Sequence, residues 1–502
     1  MANLGLKERY DFQQWIIKDL KDKNGYIQRD NAQYNPRLAM DVELLWDFLM
    51  ETQEETMDYL LKKLSKETII TLINKEIVKG GFLFALKEGV FIENKQLRLL
   101  YRKPATSFNE KAVQQYQANR LSVMEEVVYE EGGRIDLVIF INGLALFAIE
   151  LKFNPSGQSV QDAIKQLKGR NPNNRLFRFE QGVLASFAVD TMEIYMTTQL
   201  KGQETYFLPF NMGKGEGIDM GSGNPHNPNG VDTEYLWLDV LTKDSILQLI
   251  ESFIFFEIDK NDLKKRTLIF PRYHQRRAVS RLLEDMKVNH TDSNYLIQHS
   301  AGSGKTNTIA WLAHSLVSLH DDQNRNIVDT VLIVTDRIVV DRQLQDAVRQ
   351  INHKNGVVKV MGDRETSSDL ADAIAGNTKI IATTIHKFAQ INQSNWMSVG
   401  NTAKKKFAIL IDEAHSSTTG SYMSSVSQVL TETDTEDGTI DEIQEVTVAD
   451  AIEQEIARTG KQDNVSIIAF TATPKATTLQ LFGTTQPDGS KAPFDVYSMK
   501  QA

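Results

Sequence analysis

Five short apolar runs dominate the second half of the sequence: NYLIQ (294–298), TVLIVT (330–335), KIIATT (379–384), FAILID (407–412) and SIIAF (466–470). Stretches with helical spacing separate them. Strands that are apolar on both faces need cover on both sides, and the intervening helices can provide it. The pattern therefore predicts an α/β fold, a doubly wound parallel sheet, from about residue 294 onward. In such a sheet the carboxyl ends of the strands are where ligands bind.

Two short sequences fall at those ends. Ala301-Gly302-Ser303-Gly304-Lys305-Thr306 follows the first run and opens a predicted helix. Glycines there let backbone N–H groups approach phosphate oxygens. Lys305 is placed to reach the β- and γ-phosphates of ATP, and Thr306 to hold its Mg2+. One departure is His299, which occupies the usual first glycine of the motif. Asp412-Glu413-Ala414-His415 ends the fourth run. Asp412 is expected to complete the Mg2+ shell, and Glu413 to orient or deprotonate the attacking water.

With these two, three further elements in the same order make the region resemble the first RecA-like lobe of a superfamily 2 helicase or translocase, over residues 270–474. Tyr273-His274-Gln275 resembles the adenine-reading motif, which implies that Gln275 bonds the base and that Phe270 or Tyr273 stacks on it. Val334-Thr335-Asp336-Arg337 and Thr383-Thr384-Ile385-His386 resemble motifs that touch the DNA backbone, which marks Arg337 and Thr384. Phe470-Thr471-Ala472-Thr473-Pro474 resembles the motif coupling hydrolysis to DNA movement, which marks Thr471, Ala472 and Thr473. The resemblance also implies a second lobe carrying an arginine finger. The sequence to residue 502 does not include that lobe, so weak or no ATP hydrolysis is expected of these 502 residues alone.

The first half carries a different chemistry. RIDLVIFI and LALFAIELK flank Asn142-Gly143, a favoured hairpin turn. Asp136, Glu150 and Lys152 on this hairpin form D-x13-E-x-K, which resembles the PD-(D/E)xK nuclease core, a mixed sheet with flanking helices. The two carboxylates would bind Mg2+, and Lys152 would orient the attacking water or stabilise developing charge. Register provides a test. With a plain two-residue turn Ile141 pairs with Leu144, so Asp136 opposes Ile149 and Glu150 falls on the other face. A working site requires an odd-length loop or one bulge between 136 and 150.

Over most of residues 105–475 the wording is similar to the R (restriction) subunit of type I restriction-modification enzymes. Asn142-Gly143-Leu144-Ala145-Leu146 with Ile149-Glu150-Leu151-Lys152, Asn119-Arg120, Leu208-Pro209-Phe210-Asn211 with Gly223-Asn224-Pro225, and Asp336-Arg337 with Asp341-Arg342-Gln343-Leu344 all carry the likeness. Members often have Q-x-x-x-Y on the helix after E-x-K. Gln166 matches and would support the nuclease core, whereas Arg170 replaces the tyrosine; it is either a direct phosphate contact or a solvated helix end, the second being favoured. Lys165 and Lys168, with Arg170, Arg175 and Arg178, give this stretch a positive balance suited to DNA backbone.

The family resemblance implies a cytoplasmic, prokaryotic protein. It also implies double-stranded DNA as substrate and association with methyltransferase (modification) and specificity subunits. Two alternatives stay open: a single-chain motor-nuclease with its methyltransferase downstream, and a translocase with a nuclease-like but non-catalytic scaffold.

The expected division is an endonuclease domain over 1–258, with a Gly-rich loop at 213–230, and a motor lobe over 259–502. Residues 160–200 read as mostly helical and 243–257 as one apolar helix. Residues 431–455 hold ten acidic residues and no Lys or Arg, and read as a solvated excursion. Cysteine is absent, which excludes disulfides and thiolate metal sites. No apolar stretch is long enough for a membrane span. The net charge of −10 is compatible with a local basic groove.

Overall fold

The computed structural model describes residues 9–104, 108–215, 217–259, 262, 265–291, 293–335, 342–351, 357–362, 365–384, 405–412 and 464–501. The chain forms two compact units, 1–214 with 223–273 and 215–222 with 274–502.

The first unit is built on a nine-stranded sheet. Its main path runs in chain order through β1 (Ile27–Arg29), β2 (Leu121–Glu130), β3 (Gly133–Ile141), β4 (Leu144–Leu151), β5 (Ala185–Val189), β6 (Ile194–Thr197) and β7 (Leu208–Pro209). The β2–β3–β4 meander is antiparallel, and β5 returns parallel to β4. Every residue of β4 and β5 is buried. Helix α1 (Arg9–Asn24) buries Phe12, Ile16, Ile17 and Leu20, a spacing that lines one helical face. Helix α2 (Val160–Lys168) buries Val160, Ala163 and Leu167 in the same way.

Only α2 is helical within 160–200, contrary to the helical expectation. β5 is buried on both faces, so its sequence lacks the alternation that marks a half-buried strand. The apolar run at 243–257 also divides. An α-helical turn, Lys243–Gln248, passes into a wide turn at Leu249–Phe253, and Phe255–Ile258 is a strand paired with Arg266–Ile269.

The tight turn at Asn142-Gly143 is as expected, with φ of 49° and 80°. A β-carbon on Gly143 would lie 2.3 Å from the Asp41 carbonyl oxygen, so the position admits only glycine. The Asn142 side chain accepts from Arg120 N at 2.7 Å and donates to Leu99 O at 2.9 Å and Asn119 Oδ1 at 3.0 Å. Asn119-Arg120 thus locks the turn.

In the second unit, seven parallel strands form a sheet, five of them the predicted apolar runs and the two at its edges additional. They are β8 (Tyr295–His299), β9 (Thr330–Thr335), β10 (Val358–Val360), β11 (Ile380–Thr384), β12 (Phe407–Asp412), β13 (Val465–Thr471) and β14 (Asp495–Tyr497). Their order is β10-β11-β9-β12-β13-β8-β14. Helix α3 (Tyr273–Asn289), from His274 on, and helix α4 (Lys305–Leu316) belong to this unit. Residues 215–222 of the Gly-rich loop cluster here too, where Asp219 lies 2.8 Å from Lys500 Nζ and Met220 O accepts from Ser498. Among the described residues no helix is long and apolar enough to cross a membrane.

Candidate active sites

The hairpin of β3 and β4 contains the bulge that the register argument demands. Ile141 pairs with Leu144 and Phe140 with Ala145, but Ile139 pairs with Phe147 and Leu137 with Ile149. Leu146 is the extra residue. Continuing the shifted register by one step sets Asp136 opposite Glu150, which places the two carboxylates on one face.

Both carboxylates are buried, at 4% and 0% exposure. Asp136 Oδ2 accepts from Leu151 N at 2.7 Å, and its Oδ1 is paired with Arg9. Lys152 Nζ donates to Glu150 Oε1 at 3.0 Å, to Gln166 Oε1 at 2.8 Å and to Leu151 O at 3.1 Å. Burial, and then the neighbouring Asp136 charge, push the Glu150 carboxyl above its ordinary range against the opposing pull of Lys152 and Arg170. Two desolvated, mutually repelling carboxylates with hard oxygen donors fit a divalent cation such as Mg2+, which commonly takes one or two carboxylates and keeps several waters. No group of three or more side chains that could hold a metal ion occurs among the described residues, so the Asp136–Glu150 pair would share the cation with water or substrate oxygens.

Arg170 is not a solvated helix end. Its Nη2 lies 2.9 Å from Glu150 Oε2, its Nη1 donates to Tyr129 OH at 3.1 Å, and its side chain is 11% exposed. The desolvated Glu150 carboxylate needs a second cation, and Arg170 is long enough to supply it. Burial alone would lower the Arg170 pKa, but the charges and hydrogen bonds of Glu150 and Tyr129 together outweigh it and raise the pKa. Lys165 is exposed and Lys168 half-buried, while Arg175 donates to Gln181 O and Asn74 Oδ1. Arg9, which the sequence reading missed, reaches Asp136 from 127 residues away, a distance no local motif could signal.

In the second unit the phosphate-binding loop joins β8 to α4. Gly302 and Gly304 have φ of 77° and 81°, and Lys305 and Thr306 open the helix. The loop is braced from outside. Ser300 N donates to Tyr497 O at 2.9 Å, and Gln275 Nε2 donates to Gly304 O at 3.0 Å. His274 Nε2 lies 3.1 Å from Ser303 O. Ser300 Oγ and Ser303 Oγ are buried without a hydrogen-bond partner, which suits a loop built to wrap phosphate oxygens.

His299 is accommodated because its ring is fully buried and bonded through Nε2 to Asp495 Oδ1 at 3.3 Å on the neighbouring β14. Asp495 also receives Arg277 at 3.0 Å and Arg281 at 3.2 Å.

Asp412 ends β12, aligned with Thr335 of β9, and Thr335 is aligned with Thr384 of β11. The Oγ1 atoms of Thr335 and Thr384 are buried without partners. Thr471 ends β13, and its Oγ1 accepts from Thr473 N at 3.3 Å; Gln298 Nε2 reaches Ala472 O at 3.5 Å. Asp412, the phosphate loop and the Thr471–Thr473 segment therefore emerge at the same sheet edge. Glu413, Arg337, Asp336, Ile385, His386 and the acidic stretch 431–455 lie outside the described residues.

The aromatic rings expected to stack on adenine are engaged elsewhere. Phe270 packs edge-on against Phe147, Phe187 and Phe210 of the first unit, and Tyr273 against Phe210 and Tyr235. Both are 6% exposed, because a large apolar ring gains more from this cluster than from a solvated site.

Two family models match the chain: the type I restriction enzyme R protein N terminus over residues 9–205, and the SWI2/SNF2 ATPase over 274–502. A provisionally assigned type I restriction enzyme endonuclease subunit of Methanocaldococcus jannaschii, MjaVIIIP, is 25% identical over 82% of this chain and 39% of its own length. The type I restriction enzyme SauCOLORF180P endonuclease subunit of Staphylococcus aureus is 26% identical over 60% of this chain and 30% of its own. The chain thus spans well under half the length of these relatives. An R-protein N-terminal domain followed by a SWI2/SNF2 ATPase domain, together with these relatives, supports an R subunit of a type I restriction enzyme with nuclease and helicase-like parts.

Proposed function

We propose that this chain is the motor-and-cutter portion of an R subunit that couples ATP-driven DNA translocation to Mg2+-dependent cleavage of double-stranded DNA. The observation that carries the reading is the Leu146 bulge, which brings Asp136 opposite Glu150 with Lys152 on the same strand face. A buried pair of facing carboxylates is costly in a scaffold without chemistry, which favours the nuclease over a non-catalytic scaffold.

In this reading Asp136 and Glu150 would hold Mg2+, which when bound would supply Lewis-acid stabilisation of the scissile phosphate and a more acidic water. Gln166 holds the Lys152 ammonium beside Glu150, where it can orient that water or offset the charge that develops on the phosphate. In the motor, Lys305 binds the β- and γ-phosphates, Thr306 and Asp412 hold the nucleotide's Mg2+, and Gln275 contributes to the adenine side. Glu413 activates water, and Thr471, Ala472 and Thr473 relay the nucleotide state. Arg337 and Thr384 contact the DNA backbone, with Lys165 and Lys168 on the nuclease side. Modification and specificity subunits supply sequence recognition, in a prokaryotic cytoplasm.

The test uses the full-length R subunit assembled with its partners. Asp136→Ala abolishes cleavage and leaves DNA-stimulated ATPase intact, while Lys305→Ala abolishes both ATPase and ATP-dependent cutting. Cleavage surviving in Asp136→Ala would sink the nuclease assignment, and ATPase surviving in Lys305→Ala would sink the motor assignment.

A further inference from the structure

The nuclease carboxylates do not stand alone. Glu125 pairs with Leu137 and Val127 with Ile135, which sets Glu126 of β2 opposite Asp136 of β3. With Glu150 on β4, three carboxylates form one row across three adjacent strands. Glu126 has a φ of 52°, a left-handed backbone uncommon outside glycine.

Four cations face this row. Arg9 bridges two of the carboxylates, pairing through Nη1 with Asp136 Oδ1 and through Nη2 with Glu126 Oε1 at 3.2 Å. Arg134 Nε lies 2.6 Å from Glu126 Oε2. Lys152 and Arg170 take the two oxygens of Glu150. The row therefore carries more positive than negative charge before any metal binds. A divalent cation would add two more charges in a poorly solvated place, where repulsion between like charges is strong. One resident cation has to move, or anionic charge has to arrive with the metal.

Arg134 is more exposed, at 59%, but it pairs with Glu126, and its release would free no oxygen of Asp136 or Glu150. Of the cations on those two carboxylates, Arg9 is the one that can yield. Its side chain is 29% exposed, against 7% for Lys152 and 11% for Arg170. Lys152 is also held by Gln166 and Leu151 O, and Arg170 by Tyr129. The described partners of Arg9 are the two carboxylates themselves. A guanidinium released from a carboxylate finds an equivalent partner in a phosphate, which presents the same forked pair of oxygens.

We propose that Arg9 is a positioning residue that holds Asp136 Oδ1 and exchanges it for a DNA phosphate, so that the nuclease site loads its divalent cation far better with DNA than without. The inference rests on the nuclease reading above.

It is tested by Mn2+ binding to the full chain, followed by electron paramagnetic resonance without nucleotide and with or without a short DNA duplex. Arg9→Gln is expected to tighten Mn2+ binding about tenfold in the absence of DNA, the worth of one charge-assisted hydrogen bond. It is also expected to remove most of the tightening that the duplex produces in the wild type. Arg9→Lys, which keeps the charge, stays near the wild type. Asp136→Asn eliminates the site in every background. If Arg9→Gln binds Mn2+ no tighter than the wild type while Asp136→Asn still eliminates the site, the role of Arg9 is overturned and the nuclease reading stands. If Asp136→Asn leaves Mn2+ binding unchanged, the nuclease reading falls and this inference with it.

Discussion

Arg170 Nη2 lies 2.9 Å from Glu150 Oε2, so the residue that departs from the family's tyrosine pattern makes direct contact with a nuclease carboxylate. Lys152 occupies the other oxygen of the same group. Removing Arg170 leaves a fully buried carboxylate with one partner fewer. Arg170→Ala is expected to destabilise the first unit by about 1–3 kcal/mol. Arg170→Tyr retains a hydroxyl donor and should fall between the two. Urea unfolding of the three proteins measures this order, and an Arg170→Ala variant as stable as the wild type would contradict it.

The hairpin turn carries a second expectation. Gly143 has a φ of 80°, and an added β-carbon would meet Asp41 O at 2.3 Å and Leu45 N at 2.7 Å. Both obstacles are backbone, which cannot rotate away. Gly143→Ala is expected to cost roughly 2–5 kcal/mol through strain and overpacking together. The same turn holds the register that sets Asp136 opposite Glu150, so Asp136-dependent Mn2+ binding should weaken as well. Circular dichroism melts with parallel Mn2+ titrations check this; a stable variant with unaltered binding refutes it.

Periodicity and spacing carried far in this sequence, and their failures have physical causes. Five of the seven parallel strands of the motor unit were legible because buried parallel strands read as continuous apolar runs; the three-residue edge strands β10 and β14 are too short to form one. The Leu146 bulge was legible as a parity requirement: two carboxylates had to share a face, and an NG turn alone put them on opposite faces. Other family-like words turned out to be structural. Asn119-Arg120 holds the Asn142 turn, and Asn211 accepts from Ile194 N at 2.9 Å and from Asn224 at 3.0 Å. Arg9, Glu126 and the inward turn of Arg170 were not legible, because each depends on long-range pairing that leaves no local period. Phe270 and Tyr273 were misplaced because motif position says nothing about which core claims an aromatic ring.

The phosphate loop makes a third case. A β-carbon on Gly304 would lie 2.5 Å from Gln275 Nε2, and the backbone there has a φ of 81°. Gly304→Ala is therefore expected to displace the Gln275 brace and distort the loop ahead of Lys305. Binding of a fluorescent ATP analogue to the full chain should weaken by more than tenfold, as in Lys305→Ala, with little change in the melting of the first unit. Gln275→Ala removes the brace from Gly304 O and the proposed adenine contact but leaves the loop backbone unstrained, and should have the smaller effect. Equal affinity of Gly304→Ala and wild type would refute this account of the loop.

Acid sensitivity in the motor unit should centre on Asp495. Burial alone would raise its pKa, but the hydrogen bond from His299, with the charge and hydrogen bonds of Arg277, outweighs this and brings it down from 3.8 to about 2. Arg281 also faces it. A carboxylate whose pKa is lower in the folded state stabilises that state fully above its unfolded value, and the contribution fades as pH falls from about 4 towards 2. The linked stabilisation is on the order of 2 kcal/mol at neutral pH. Asp495→Asn should lose more than this, because Arg277 is then left half-buried beside a neutral amide. The gap between wild type and Asp495→Asn should therefore be widest near neutrality and shrink as acid protonates the wild-type carboxylate. Chemical unfolding followed by Trp311 fluorescence at a series of pH values reads this directly, and a gap that stays constant down to pH 2 would show that Asp495 does not hold its charge through the Arg277 and His299 contacts.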